Sequence, residues 1–270
     1  MAYIEPSEFV TKMVDAGEQK VYMSTKDTII RAFMAGAILG LAAIFAITVA
    51  VKTGSPLVGA LLFPVGFIML YLMKFDLLTG VFTLVPLALL DKRPGVTVGG
   101  VMRNWGLVFV GNFAGALTTA FLMSFILTYG YSADGGAIAA KVSSIGESRT
   151  LGYQEHGFGG WVTIFIRGML CNWMVSMGVV GAMISTSAGA KMAAMWMPVM
   201  LFFFMGFEHS IVNMFLFPFS MIMGGEFTVY DYLLWNEIPT VLGNLAGGLL
   251  LVGLPLYFTH VKTSPARDLS

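Results

Sequence analysis

Asp76-Leu77-Leu78-Thr79-Gly80 and Glu208-His209-Ser210-Ile211 each set a carboxylate and further polar groups inside an apolar run, where lipid penalises them. The two stretches lie 132 residues apart (208 − 76). The same offset takes Pro86 to Pro218, Asn104 to Asn236, Gly111 to Gly243, Asn112 to Asn244, Ala114 to Ala246 and Gly115 to Gly247. GNFAG at 111–115 and GNLAG at 243–247 are therefore one element used twice. The openings of the halves, Ile30-Arg31-Ala32-Phe33-Met34 and Ile166-Arg167-Gly168-Met169-Leu170, are offset by 136 (166 − 30), which marks an insertion of four. The chain is an internal repeat, and polar interruptions at matching places in two hydrophobic halves point to a transport site.

Composition sets the class. Of 270 residues 57% are hydrophobic and 11% charged, with mean hydropathy +0.82, so the chain reads as an all-α polytopic membrane protein. Six spans fit, at 28–51, 56–90 (interrupted near 76–79), 104–129, 161–185, 193–223 (interrupted near 206–210) and 239–259. Each half has three crossings, and an odd number turns the next half over, so the repeats, 28–129 and 161–260, are inverted. The interrupted helices 2 and 5 then meet near the midplane. The organisation expected is an amphipathic cytoplasmic helix within 1–27, one transmembrane channel domain over 28–260, and a cytoplasmic tail over 261–270.

Lys12, Lys20, Lys26, Arg31, Lys92, Arg93, Arg103, Lys191, Lys262 and Arg267 fall on one side of this topology, against Lys52, Lys141 and Arg149 on the other. Both termini are therefore expected in the cytoplasm. The polar first 27 residues do not have the order of a cleavable signal peptide. Residues 4–23 carry an apolar stripe (Ile4, Phe9, Val10, Met13, Val14, Val21) at helical spacing, which suits a helix at the inner surface or against a neighbouring subunit. The polar segment 130–160 reads as an outer loop partly capping the pore mouth. Cys171, in an apolar span, is assigned to packing. The zero net charge says nothing about nucleic acid, and there is no basic patch beyond the topological bias, so no nucleic-acid partner is expected.

A break in a membrane helix frees backbone N–H and C=O groups and survives only beside protein or a wet cavity. Gly80 and Gly206 supply freedom at the breaks, and the half-helices restarting near Val81 and Ser210 aim their positive ends at the centre. Asp76 and Glu208, each just before a break, are read as caps for the freed N–H groups. His209 is the only histidine inside an apolar span, and Thr79 holds the matching break, so these two are the substrate-site candidates. Asn172 and Asn213 are further candidates; Asn213, four residues after His209, shares its helical face and is placed to orient the imidazole. Lys74, with Gly206 as its counterpart, either pairs with Asp76 or Glu208 or raises the anion concentration on the approach. Phe63, Phe67, Leu77, Leu78, Val175 and Phe202 surround the polar point and supply dry constrictions.

With DLLTG at 76–80, RNW at 103–105, GNFAG at 111–115, RGMLCNW at 167–173 and GFEHSIVNMF at 206–215, the chain resembles the formate/nitrite transporters from about residue 28 to 260. The run from Leu77 to Leu87 looks most like the formate-dehydrogenase-associated formate channels. The resemblance implies an aquaporin-like fold assembled as a homopentamer in a prokaryotic cytoplasmic (inner) membrane, with a pore in each protomer and Thr79 opposite His209. It also implies an inner constriction of Phe63, Phe67 and Leu77 and an outer one of Leu78, Val175 and Phe202, the family commonly having Phe at the Leu78 position. The family commonly has a lysine on the approach before its fourth span; the longer 130–160 segment matches it to none of Lys141, Arg149 and His156 in particular. The partners implied are protons and small anions: formate first, then nitrite, acetate, lactate and hydrosulfide. No cofactor is implied.

Two rival classes are weaker. Aquaporins carry paired Asn-Pro-Ala motifs, and the tripeptide does not occur here. An intramembrane enzyme would have to use Glu208 and His209, which as neighbours on a helix point about 100° apart, and no HExxH or second histidine builds a metal site.

Overall fold

The computed structural model describes residues 3–262, so the expected tail, with Arg267, lies outside it but for two residues. The chain is all-α. Helix α1 (Pro6–Tyr22) has proline in its first turn and buries Phe9, Val10, Met13, Val14, Gly17 and Val21. This stripe packs on a later helix of the same chain, Leu78–Leu90, so closely that a Cβ on Gly17 would overlap the Leu84 carbonyl. Ser24 then caps α2 (Thr25–Thr53) by accepting from Asp27 N–H at 3.0 Å.

Among the described residues four helices are long and apolar enough to cross a membrane: α2, α6 (Val98–Leu127), α9 (Gly157–Met183) and α12 (Val229–Lys262), the last passing through three π-helical segments. Between them lie shorter apolar helices in two broken pairs. The first is α3 (Pro56–Leu62) with α4 (Pro64–Leu72), followed by α5 (Leu78–Leu90); the second is α10 (Ala188–Phe204), followed by α11 (Ser210–Ile222). The first half-helix thus restarts at Leu78, three residues earlier than expected, which puts Thr79 in its opening turn. Segment 130–160 is no loop: it forms α7 (Gly136–Ser148) and α8 (Leu151–Gln154), and α7 packs on α11 much as α1 packs on α5. Each broken pair therefore has a lead helix against its second member.

The repeat extends to close helix contacts. A Cβ on Gly115 of α6 would overlap the Phe33 carbonyl of α2, and one on Gly247 of α12 would overlap the Met169 carbonyl of α9. Both glycines allow backbones to approach where any side chain would wedge them apart. The outward faces of these helices expose Leu41, Phe45, Leu122 and Phe125, the composition that lipid or a neighbouring subunit covers.

Candidate functional site

Each break is held open by one asparagine. Asn112 Oδ1 accepts from Leu78 N–H at 2.9 Å, while its Nδ2 donates to the carbonyls of Asp76 and Ala32, both at 2.8 Å. Asn244 repeats the pattern: Oδ1 accepts from Ser210 N–H at 3.0 Å, and Nδ2 donates to Glu208 O at 2.9 Å and Gly168 O at 2.8 Å. Both side chains are fully buried. The groups that broken helices orphan are thereby satisfied within the protein. Asp76 and Glu208 are not the caps the sequence suggested; the asparagines fill that place, and His209 caps α11 further. Nor is Gly80 the flexible point, since it lies within the first turn of α5. In the first half the left-handed residue is Lys74 (φ 57°), in the second Gly206 (φ 65°). A side chain in that conformation costs roughly 1 kcal/mol relative to glycine.

Thr79 and His209 face each other across the breaks, with Thr79 Oγ1 and His209 Nε2 3.5 Å apart and both side chains buried. His209 is the residue preceding α11, and its Nδ1 accepts from Ile211 N–H at 3.2 Å and Val212 N–H at 3.4 Å. With Nδ1 occupied as an acceptor, a neutral ring carries its proton on Nε2, the nitrogen that faces Thr79. The Phe202 ring lies 5.6 Å from the imidazole, centroid to centroid. Asn172 acts one step back. Its Nδ2 donates to Thr79 O at 3.1 Å and Asn244 O at 2.6 Å, and its Oδ1 accepts from Ser176, so it positions backbone. Asn213 does not orient the imidazole as expected: its amide donates to Glu208 at 3.0 Å and Asn236 at 2.6 Å.

The break carboxylates are paired with cations from the lead helices. Lys20 of α1 bonds to Asp76, and Arg149, just past α7, reaches Glu208 at 3.5 Å. Asn104 Nδ2 fixes the Lys20 carbonyl and Asn236 Nδ2 the Arg149 carbonyl, each at 3.0 Å. Tyr153 Oη donates to Glu208 at 3.4 Å and accepts from Arg167 at 2.7 Å. Burial first, then the Glu208 charge, pushes the Tyr153 phenol up to about 12 against the pull of Arg167 and Arg149, so it stays a donor at neutral pH. The signal for this pairing stood in the sequence as Gly17-Glu18-Gln19-Lys20 and Gly146-Glu147-Ser148-Arg149, offset by 129 (146 − 17).

Two cavities flank the centre. The first, about 280 Å³, is lined by Lys20, Lys74, Lys191 and Asp76 and bounded by Phe67 and Leu77. The second, about 230 Å³, is lined by Lys141, Arg149, Phe202, Phe203 and His209. Phe63 lines neither cavity; it stacks on Phe203 at 3.9 Å and meets Phe202 edge-on at 5.7 Å, two rings that line the second. Leu78 and Val175 are buried and line neither cavity. His156 is exposed just before α9 and lines neither, so the basic groups on the second side are Lys141 and Arg149. Among the described residues no cluster of His, Cys, Asp or Glu could hold a metal.

Broken apolar helices around a buried polar centre between two cationic cavities define a membrane transport protein. The family model for formate/nitrite transporters matches residues 7–258, and the chain belongs to that family. It is 32% identical over 246 residues to a probable formate transporter of Methanothermobacter thermautotrophicus, covering 87% of this chain and 89% of that one. It is 31% identical over 275 residues to the formate channel FocA of Escherichia coli (strain K12), covering 92% of each. Among solved structures, an FNT family ion channel superposes with TM-score 0.81 at 23% identity, over 93% of this chain and 98% of that one. A pentameric formate channel with formate bound superposes with TM-score 0.71 at 23% identity, over 87% and 96%. The protein is an anion transporter of the membrane and no enzyme.

Proposed function

We propose that this protein conducts small monovalent weak-acid anions, formate foremost, through a pore in each protomer of a homopentamer in a prokaryotic cytoplasmic membrane, with protons moving alongside. The halves lie inverted, both termini face the cytoplasm, and the cavity beside α1 is the cytoplasmic mouth. The names of its relatives, a probable formate transporter and the channel FocA, support formate, and the pentameric neighbour supports the assembly. The observation that carries the reading is the approach of Thr79 Oγ1 and His209 Nε2 to 3.5 Å inside an otherwise apolar stretch.

The mechanism follows from cost. A bare carboxylate entering a dry constriction loses several kcal/mol of hydration, whereas the neutral acid loses little. Asp76 and Glu208 would repel an anion, but Lys20 and Arg149 cancel their charge. The remaining basic groups draw the anion to the mouth. Beyond Phe67 and Leu77 it gives up water and meets the Nε2–H of His209 and the Thr79 hydroxyl. These donors bind it. A proton from the solution that the second cavity admits converts the ring to an imidazolium, Nδ1 releasing the Ile211 and Val212 N–H groups to take it up. The imidazolium passes its Nε2 proton to the anion and returns to the neutral ring.

The test is uptake of labelled formate into proteoliposomes at two pH values, with nitrite, acetate, lactate and hydrosulfide as competitors. Saturable uptake that competitors reduce and that rises at the lower pH is expected; an inert vesicle ends the reading. Nitrite outcompeting formate moves the assignment to the family's other named anion. In the same assay Thr79→Ala is expected to slow uptake about tenfold, the worth of one hydrogen bond to a charged group, and Cys171→Ala less than twofold. Equal effects would mean that the hydroxyl plays no part in conduction.

A further inference from the structure

The end of the helix before each break is the same backbone motif closed by different residues. Lys74 N–H donates to Tyr71 O and Phe75 N–H to Leu70 O, both at 2.9 Å; Gly206 N–H donates to Phe203 O at 3.1 Å and Phe207 N–H to Phe202 O at 3.0 Å. This is a Schellman end, whose left-handed position suits glycine. The second half uses Gly206 there, at φ 65°, while the first uses Lys74, at φ 57°. A lysine so placed gains nothing for the turn. Its side chain lines the first cavity and has no carboxylate partner among the described residues. The only carboxylate lining that cavity, Asp76, is taken by Lys20, so Lys74 and Lys191 leave the wall with uncompensated positive charge. On the opposite side Arg149 is spent on Glu208, and Lys141 alone remains.

We infer that Lys74, with Lys191, forms a binding subsite for a small monocarboxylate-class anion in the cavity beside α1, ahead of the Phe67 and Leu77 constriction. The inference rests on the transport reading above and makes the two mouths unequal. A passive pore cannot favour net flux in one direction by this means, but its mouths can fill at different anion concentrations. The mouth beside α1 fills at the lower one. The positive charge acts through partly screened solvent, so its effect is confined to low ionic strength.

Lys74→Gly restores the residue that the other half uses and removes backbone strain, so the variant is expected to be at least as thermally stable as the parent. In oriented proteoliposomes at about 20 mM salt, the formate concentration giving half-maximal flux from the α1 side is expected to rise about fivefold, the scale of one charge across solvent. From the other side it moves less than twofold, and the difference closes above about 0.5 M salt, where screening is complete within a few ångströms. Lys74→Arg is expected to keep the parental value. If parental flux is intact and Lys74→Gly leaves the α1-side value unchanged at low salt, the subsite is overturned and the transport reading stands. If Lys74→Gln behaves as the parent does, the charge is irrelevant and the subsite is equally overturned. If the parent carries no monovalent anion, the transport reading falls and takes the subsite with it.

Discussion

Replacing Asn244 by alanine is expected to cost more stability than any other single truncation near the site except that of its counterpart Asn112. One amide serves Ser210 N–H and the carbonyls of Glu208 and Gly168, all buried. Its loss strands three groups where no water replaces it, at about 1 kcal/mol or more each, for a total of about 3 kcal/mol or more. Against the roughly 5–15 kcal/mol that holds a folded protein together, that is a large share. The measurement is the melting temperature of detergent-solubilised protein followed by size-exclusion chromatography; a fall of about 6 °C or more is expected, with part of the protein aggregated. Asn112→Ala should match it, because Asn112 makes the equivalent three bonds. Asn244→Asp keeps the acceptor for Ser210 but loses both donors and sets a buried carboxylate oxygen against the Glu208 and Gly168 carbonyls, so it is expected to cost at least as much. A shift under about 2 °C in both alanine variants would show that the breaks hold themselves open without the asparagines.

The symmetry of these clamps explains what could be read from residues alone. The offset of 132 found the asparagines, the breaks and the proline pair because those positions must be identical to do identical work in both halves. Thr79 and His209 were legible for the opposite reason: they are polar where the surroundings forbid it. Segment 130–160 was misread because its helix α7 is short and rich in glycine and serine, with too weak an apolar face to stand out beside membrane spans. GEQK at 17–20 and GESR at 146–149 mark that lead helix in both halves. The asparagine roles were hidden for a different reason. Whether an amide faces substrate or backbone depends on hydrogen-bond partners, and Asn172 and Asn213 found theirs in Thr79, Asn244, Glu208 and Asn236. The contacts of Phe63 with Phe202 and Phe203 were hidden likewise, because they join residues about 140 positions apart and leave no mark in spacing.

One residue thus carries two burdens that mutation can separate. His209 caps α11 through Nδ1 and addresses Thr79 through Nε2. Asparagine is among the best residues for the position before a helix, since its Oδ1 accepts from the same early N–H groups. It is too short to place a donor where Nε2 lies, and it cannot exchange a proton near neutral pH. His209→Asn is therefore expected to fold and assemble as the parent does, with a melting shift of no more than a few degrees. Its formate flux falls about 10- to 100-fold, the value of a donor to a charged group, and what remains no longer rises as pH is lowered. His209→Ala removes cap and donor together, so it adds a stability loss of about 1 kcal/mol to the same transport defect. Labelled-formate uptake at pH 5.5 and 7.5, set beside melting curves of both variants, resolves the two effects. Unaltered flux and pH profile in the asparagine variant would leave the imidazole only its structural task, and the proton would have to reach the anion from elsewhere.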